Sequence, residues 1–195
     1  FMWNAIDPSY VITPEGEHWL VYGSWHSGFT AVQLNAETGK TLNELGKPWS
    51  INGDHSSYGD LIARRGYGRW QASEAPEIIY NSKTGYYYLF MAYDELSVAY
   101  NTRVARSKNI KGPYVDMVGK NITENGGGDA YPVVTHPYKF NNSYGWVGIS
   151  HCAIFNDGQD NWFYASQGRL PANITGINAS NAVMMGHVRS IRWTD

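Results

Sequence analysis

The chain is poor in the features that would assign it to several large classes of protein. It has a single cysteine, Cys152, in 195 residues, so no intrachain disulfide can form. Charged residues make up 16 % of the total and the formal net charge is −2, which leaves no basic field for holding nucleic acid. No apolar run approaches the ~20 residues of a membrane-spanning helix. The long runs of Ala, Glu, Lys and Leu that a helical bundle needs are missing, and no segment shows a convincing helical period. No signal peptide is visible. Phe1-Met2-Trp3-Asn4 already reads as the run into a strand, so preceding sequence is expected.

What is abundant points the other way. Aromatics are 15 % of the residues and there are 21 glycines, a mix of strand and turn formers that favours an all-β protein. A search for internal repeats finds one pattern in three copies. The first is Asp7-Pro8-Ser9-Tyr10-Val11-Ile12, a turn at Thr13-Pro14-Glu15-Gly16, then His18 to Ser24. The second is Glu74-Ala75-Pro76-Glu77-Ile78-Ile79, a turn at Asn81 to Gly85, then Tyr86 to Ala92. The third is His151-Cys152-Ala153-Ile154-Phe155, a turn at Asn156 to Asp160, then Trp162 to Ser166. Each copy is a polar residue, a short apolar strand, a turn and an aromatic-rich strand, which is the grammar of a β-hairpin. Further strands are predicted at Thr30–Leu34, Asn101–Ser107, Asn181–Met185 and Val188–Trp193. The copies begin 67 and 77 residues apart, room for four strands each, so the chain reads as one domain, 1–195, of β-propeller blades.

In a propeller the first strand of each blade lines the central axis. Asp7, Glu74 and His151 head their repeats, so the expectation is one polar cluster of two carboxylates and an imidazole. Paired carboxylates facing a cleft suit glycoside hydrolysis, one as proton donor and one as base or nucleophile. Trp25 and Tyr93 are expected near the mouth, where rings stack on sugars.

Asn4-Ala5-Ile6-Asp7-Pro8, Ser73-Glu74-Ala75-Pro76 and Gly148-Ile149-Ser150-His151 resemble family 43 glycoside hydrolases. So do Arg103-Val104-Ala105-Arg106-Ser107 with Gly112-Pro113-Tyr114, while Tyr22-Gly23-Ser24-Trp25 is similar to the endo-1,5-α-L-arabinanase branch. The resemblance implies a secreted enzyme, a five-bladed propeller that hydrolyses α-1,5-linked arabinan with inversion. It makes Glu74 the general acid and Asp7 the aspartate that orients that acid and raises its pKa. It also makes His151 the histidine facing a central calcium that is largely water-coordinated, although calcium prefers oxygen ligands. Ser24, Trp25, Arg103 and His151 become candidates for substrate contact; Arg103 alternatively braces the second carboxylate by a charge-assisted hydrogen bond. The family's catalytic base lies in a first blade that nothing here matches. The expectation is therefore about three blades, with an N-terminal propeller segment supplied by the rest of the gene product or a second chain. The chain by itself would lack a base and leave sheet edges unpaired. Exo-acting arabinofuranosidase or β-xylosidase activity, and a carbohydrate-binding propeller without catalysis, remain the alternatives.

Other features have plainer readings. Glu77 is a rival to Glu74, although it fits the strand rather than its mouth. Cys152 packs. Of His18, His26, His55, His136 and His187, none has metal-ligand spacing, and only His26, beside Trp25, falls in a cleft loop. Gly126-Gly127-Gly128-Asp129 lacks the strand-to-helix setting of a phosphate loop. Asp157-Gly158-Gln159-Asp160 reads as a hairpin turn rather than a calcium loop. Asn121, Asn141, Asn173 and Asn178 each open a glycosylation sequon.

Overall fold

The computed structural model describes residues 3–42, 58–124, 128–136, 139–140, 143–170 and 183–194. Among them there is no α-helix. The first sheet is β1 (Ser9–Ile12), β2 (His18–Tyr22), β3 (Phe29–Leu34) and β4 (Asp60–Ala63), antiparallel and in chain order. The second repeats this with β5 (Ser73–Asn81), β6 (Tyr86–Tyr93), β7 (Asn101–Ser107) and β8 (Val133–Thr135). Two short strands, β9 (Lys139–Phe140) and β10 (Ser143–Tyr144), pair with each other. The third sheet is β11 (Val147–Asn156), β12 (Trp162–Arg169) and β13 (Met184–Ile191). The first strands meet, β1 and β11 both packing on β5. Repeated antiparallel sheets with adjoining first strands are the blade arrangement of a β-propeller.

The turns form where their residues dictate. At the first, Gly16 N–H bonds the Thr13 carbonyl at 2.9 Å. At the second, Gly85 N–H bonds the Asn81 carbonyl at 2.8 Å, while the Asn81 side chain accepts from Lys83 N. At the third, the Asp157 carboxylate accepts from the backbone of Gln159 and Asn161, so this acidic stretch is a hairpin turn. The third sheet departs from expectation. The two strands predicted at 181–185 and 188–193 are one continuous strand, β13, paired with β12 from Trp162↔Ile191 to Arg169↔Met184. Gly186 between them faces Gln167 in the ladder and does not break it. Residues 181 and 182 lie outside the described residues.

The middle sheet is buried on both faces. Ile78, Leu89 and Met91 pack against Val11, Trp19, Val21 and Phe29 of the first sheet. Ile79, Tyr88 and Phe90, on the opposite face, pack against Ile149, Cys152, Ile154 and Tyr164 of the third. This is why Tyr86–Ala92 is an unbroken apolar run rather than an alternating one. Cys152 is buried here, and burial pushes its thiol far up, so packing is its role.

Glu77 links all three sheets. Its Oε2 accepts from Ser9 Oγ at 2.7 Å and its Oε1 from Ile154 N at 2.9 Å, while Ser9 Oγ accepts from Ile78 N at 3.0 Å. Removing the acceptor strands two inward-facing donors. Glu77→Ala is expected to cost about 2–5 kcal/mol in urea unfolding, for two orphaned donors and a lost side chain. Glu77→Gln, which keeps an acceptor, should cost far less; equal losses would show that the hydrogen bonds are not what ties the sheets.

Candidate active site

The site is built on a backbone irregularity that the three first strands share. Asp7, Ala75 and His151 adopt left-handed φ angles of 55°, 51° and 54°. None is glycine, and such conformations cost about 1–3 kcal/mol each and cluster at functional sites. In β5 and β11 the ladder slips at this point, between Glu74 and Glu77 and between Ser150 and Ala153. The bond from Ile154 N to Glu77 repeats, one sheet on, the bond from Ile78 N to Ser9. Structurally equivalent positions are therefore Asp7, Ala75 and His151. The expectation that Glu74 shares the place of Asp7 and His151 is off by one residue. Sequence spacing does not reveal the bulge that shifts the ladder between Glu74 and Glu77.

Glu74 itself is gripped by three side-chain donors. Trp25 Nε1 donates to Glu74 Oε2 at 3.0 Å, Ser24 Oγ to the same oxygen at 3.3 Å, and Tyr100 O–H to Oε1 at 2.5 Å. Ser24 and Trp25 reach it from a tight loop after β2. There Gly23, at φ 140°, lies so close to the Gly28 carbonyl that a Cβ would sit 2.4 Å from that oxygen. Trp25 N–H also bonds the Ser73 carbonyl at 2.7 Å, tying the loop to the strand that carries Glu74. Tyr100 is fully buried. Burial, the bond to Glu74 and the charges of Glu74 and Asp7 all push its phenol upward, so it stays a donor. Sequence reasoning missed Tyr100, because nothing in its own surroundings marks it until the fold brings it to Glu74.

Next to Glu74, a recess of about 210 Å³ is lined by Asp7, Ala75, Glu77, His151 and Cys152. Asp7 Oδ2 accepts from Ala75 N at 3.1 Å, and its Oδ1 is 3.9 Å from His151 Nε2. The Asp7 carboxyl lies above its usual value of 3.8; burial is the main cause, Glu74 adds like-charge repulsion, and His151 and the Ala75 N–H pull the other way. Burial likewise raises Glu77, against its bonds to Ile154 and Ser9. Glu77 thus faces the recess, but both its oxygens are engaged between sheets.

Calcium takes about 6–8 oxygen ligands. Among the described residues no three His, Cys, Asp or Glu side chains are grouped to hold a metal ion. His151 offers nitrogen, with Asp7 the carboxylate beside it. These residues do not make a calcium cage by themselves, and no step of the chemistry below passes through a metal.

Other expected residues lie elsewhere. Arg103 is buried, donating to Asn101 Oδ1, the Ala130 carbonyl and Asp129 Oδ2. Those bonds go to the interior and none of them to Glu74 or Asp7. Tyr93 is not at the mouth. It is buried to 1 % exposure under the guanidinium groups of Arg65 and Arg103. His26 does sit beside the site, accepting from Arg69 Nε at 3.1 Å. Asn121 caps its own turn through Thr123 N and Glu124 N. His55, Gly126, Gly127, Asn141, Asn173 and Asn178 lie outside the described residues.

The raised carboxyl of Asp7 carries a pH signature. Its contribution to stability is complete below the unfolded value and is lost as pH rises through the folded one. Asp7→Asn is therefore expected to melt higher than the parent at neutral pH, with the gap closing as pH falls below 3.8. Thermal melts of the full-length product at both pH values check this; a pH-independent gap would mean that burial does not govern Asp7.

A model of the family described as glycosyl hydrolases family 43 matches residues 1–193. An extracellular endo-α-(1→5)-L-arabinanase of Thermotoga petrophila is 39 % identical over 122 residues, 61 % of this chain and 23 % of the relative. The crystal structure of an endo-1,5-α-L-arabinanase from Thermotoga petrophila RKU-1 aligns over 97 % of this chain and 41 % of its own, with TM-score 0.78 and 28 % identity. That of an exo-1,5-α-L-arabinanase from a bovine ruminal metagenomic library aligns over 100 % of this chain and 55 % of its own, with TM-score 0.73 and 31 % identity. The chain thus spans about a quarter to a half of the length of these relatives. With a family match running through residue 193 and the blade order and bulged first strands described above, the chain belongs to glycosyl hydrolase family 43.

Proposed function

We propose that the protein of which this chain is part is a secreted hydrolase of α-1,5-linked arabinan, endo-acting and inverting, with Glu74 as general acid. The observation that carries this reading is the grip on Glu74. Three donors from two separate segments fix one carboxyl group beside a recess that holds a second, Asp7. Fixed orientation is what a proton donor requires, because the proton must arrive at the glycosidic oxygen as its bond to the sugar breaks. Asp7, whose Oδ2 accepts from the N–H of Ala75, next in the chain to Glu74, positions the strand segment that carries the acid. The names of the relatives, an extracellular endo-arabinanase and two solved arabinanases, support both the substrate and secretion.

Inversion needs a second carboxylate about 6.5–9.5 Å from the acid to take a proton from the attacking water. We assign it to a propeller segment outside this chain, completing five blades. The outer faces of the end sheets favour such a partner. Tyr10 and Ile12 are each 50 % exposed on the first, and Val188 is 65 % exposed on the third. A water-held calcium beside His151 belongs to the same reading, contributing no bond-making step. Ser24 and Trp25 then act on substrate through Glu74 as well as by contact.

An exo-acting enzyme is the alternative within the family, since one solved neighbour is an exo-arabinanase; β-xylosidase activity and a purely sugar-binding propeller stand behind it. The test is reducing-sugar release from debranched arabinan and xylan by the full-length product and its Glu74→Gln variant. We expect arabinan cleavage to oligosaccharides, lowered about 10²–10⁴-fold in the variant. Monosaccharide alone would make the enzyme exo-acting, and undiminished cleavage would remove Glu74 as the acid. Tyr100→Phe keeps the ring and loses the bond to Glu74 Oε1; we expect kcat to fall about 10-fold with KM little changed. Unchanged kcat would count against Tyr100 as a positioning residue.

A further inference from the structure

The loop between β4 and β5 holds aromatic surface in water while being pinned along its length. Trp70 is 76 % exposed and Tyr67 71 %. Arg65 anchors the loop's start by NH1 to Asp94 Oδ1 at 2.6 Å and the Ala72 carbonyl at 2.8 Å, and by Nε to Asp129 Oδ1 at 2.9 Å. Gln71 ties the loop to itself, accepting from Arg65 N and Gly66 N and donating to the Gly68 carbonyl. Ser27 N–H bonds the same Gly68 carbonyl at 3.2 Å, joining this loop to the one that carries Trp25. A loop so constrained that still leaves an indole in solvent spends apolar surface where folding alone would bury it.

The position of that indole is informative. Its ring centroid is 6.0 Å from that of Trp25 at an interplanar angle of 81°. Trp25 in turn is bonded to Glu74 at 3.0 Å. Arg69 lies over the Trp70 ring, 4.9 Å from its centroid, and its Nε–H bonds His26. An apolar ring with guanidinium donors beside it, one contact removed from the proton donor, offers both things a sugar ring needs. The ring's negative face attracts the polarised C–H groups of a pentose, and the guanidinium N–H groups bond its hydroxyls.

We propose that Trp70, with Arg69, is a stacking platform for an arabinose ring of the polymer beyond the rings at the cleaved bond. It would favour long chains over short ones. The platform rests on the arabinan reading above and adds to it a determinant of chain-length preference. Because its loop is fixed before binding, little ordering has to accompany stacking.

Binding and turnover by the full-length product test it. Calorimetric titration in a Glu74→Gln background should show arabino-oligosaccharides of six rings binding about tenfold more weakly after Trp70→Ala, the scale of one aromatic contact. Those of two rings should bind equally to both, and Trp70→Tyr should restore most of the loss. With Glu74 intact, Trp70→Ala should raise KM for arabinan far more than it lowers kcat. Hexamer binding unchanged by Trp70→Ala, while the parent binds, overturns the platform alone. A kcat loss of equal size on long and short substrates also overturns it, since Trp70 would then act through Trp25 on the acid. Failure of the parent to bind any arabino-oligosaccharide overturns the arabinan reading and the platform with it.

Discussion

A half-buried carboxylate between three sheets is the constraint from which the geometry of the site follows. Glu77 stands on β5 and accepts one hydrogen bond from the first sheet and one from the third. Each bond fixes a neighbouring first strand at a point two or three residues past its left-handed position. Asp7 and His151 are consequently aligned on Ala75, and the recess between them has walls on all three strands. Burial disfavours the charged form of such a group, and its bonds to the Ile154 N–H and Ser9 work against that cost. Apolar packing alone would hold the sheets together without specifying this register, because Ile78 and Ile79 are interchangeable in size and each only needs a greasy neighbour.

The carboxyl groups of Glu74 and Asp7 have opposite surroundings. Glu74 is met by three donors, one of them an indole N–H. Asp7 has one backbone donor, an imidazole at the limit of ion-pairing distance and a recess in front of it. Giving two acids different environments is how one fold assigns them different tasks.

Much of the hairpin framework was legible in the sequence. The turns at Thr13–Gly16 and Asn81–Gly85 were marked by residues that close turns, and Asn101–Ser107 matches β7 at both ends. The unbroken apolar run of β6 is readable as a strand with two buried faces once the repeats are seen. Four things were hidden, each for a reason. A bulge alters register without altering spacing, so Glu74 was set one residue out of place. Arg103 carries a charge that in sequence looks available to substrate, yet it is consumed by Asn101, Ala130 and Asp129. Tyr100 precedes β7 with no motif around it, and its value lies entirely in what the fold puts opposite its hydroxyl. The strand β13 runs unbroken through Gly186, since a glycine in an outer strand simply leaves a gap in the side-chain row.

The shared left-handed position has a bearing on how such a site comes into being. One backbone socket, repeated around the axis, carries a carboxylate in the first sheet, a methyl group in the second and an imidazole in the third. The main chain has already been bent to the same angle in every copy. Changing what the centre contains then requires no new architecture, only a different occupant of an existing socket. Ala75 is the apolar member of the set: it lines the recess with Asp7 and His151, and it packs with Ala92 and Tyr100. Repetition therefore gives this fold a ring of interchangeable seats, and chemistry can diverge by exchanging occupants while the blades stay still.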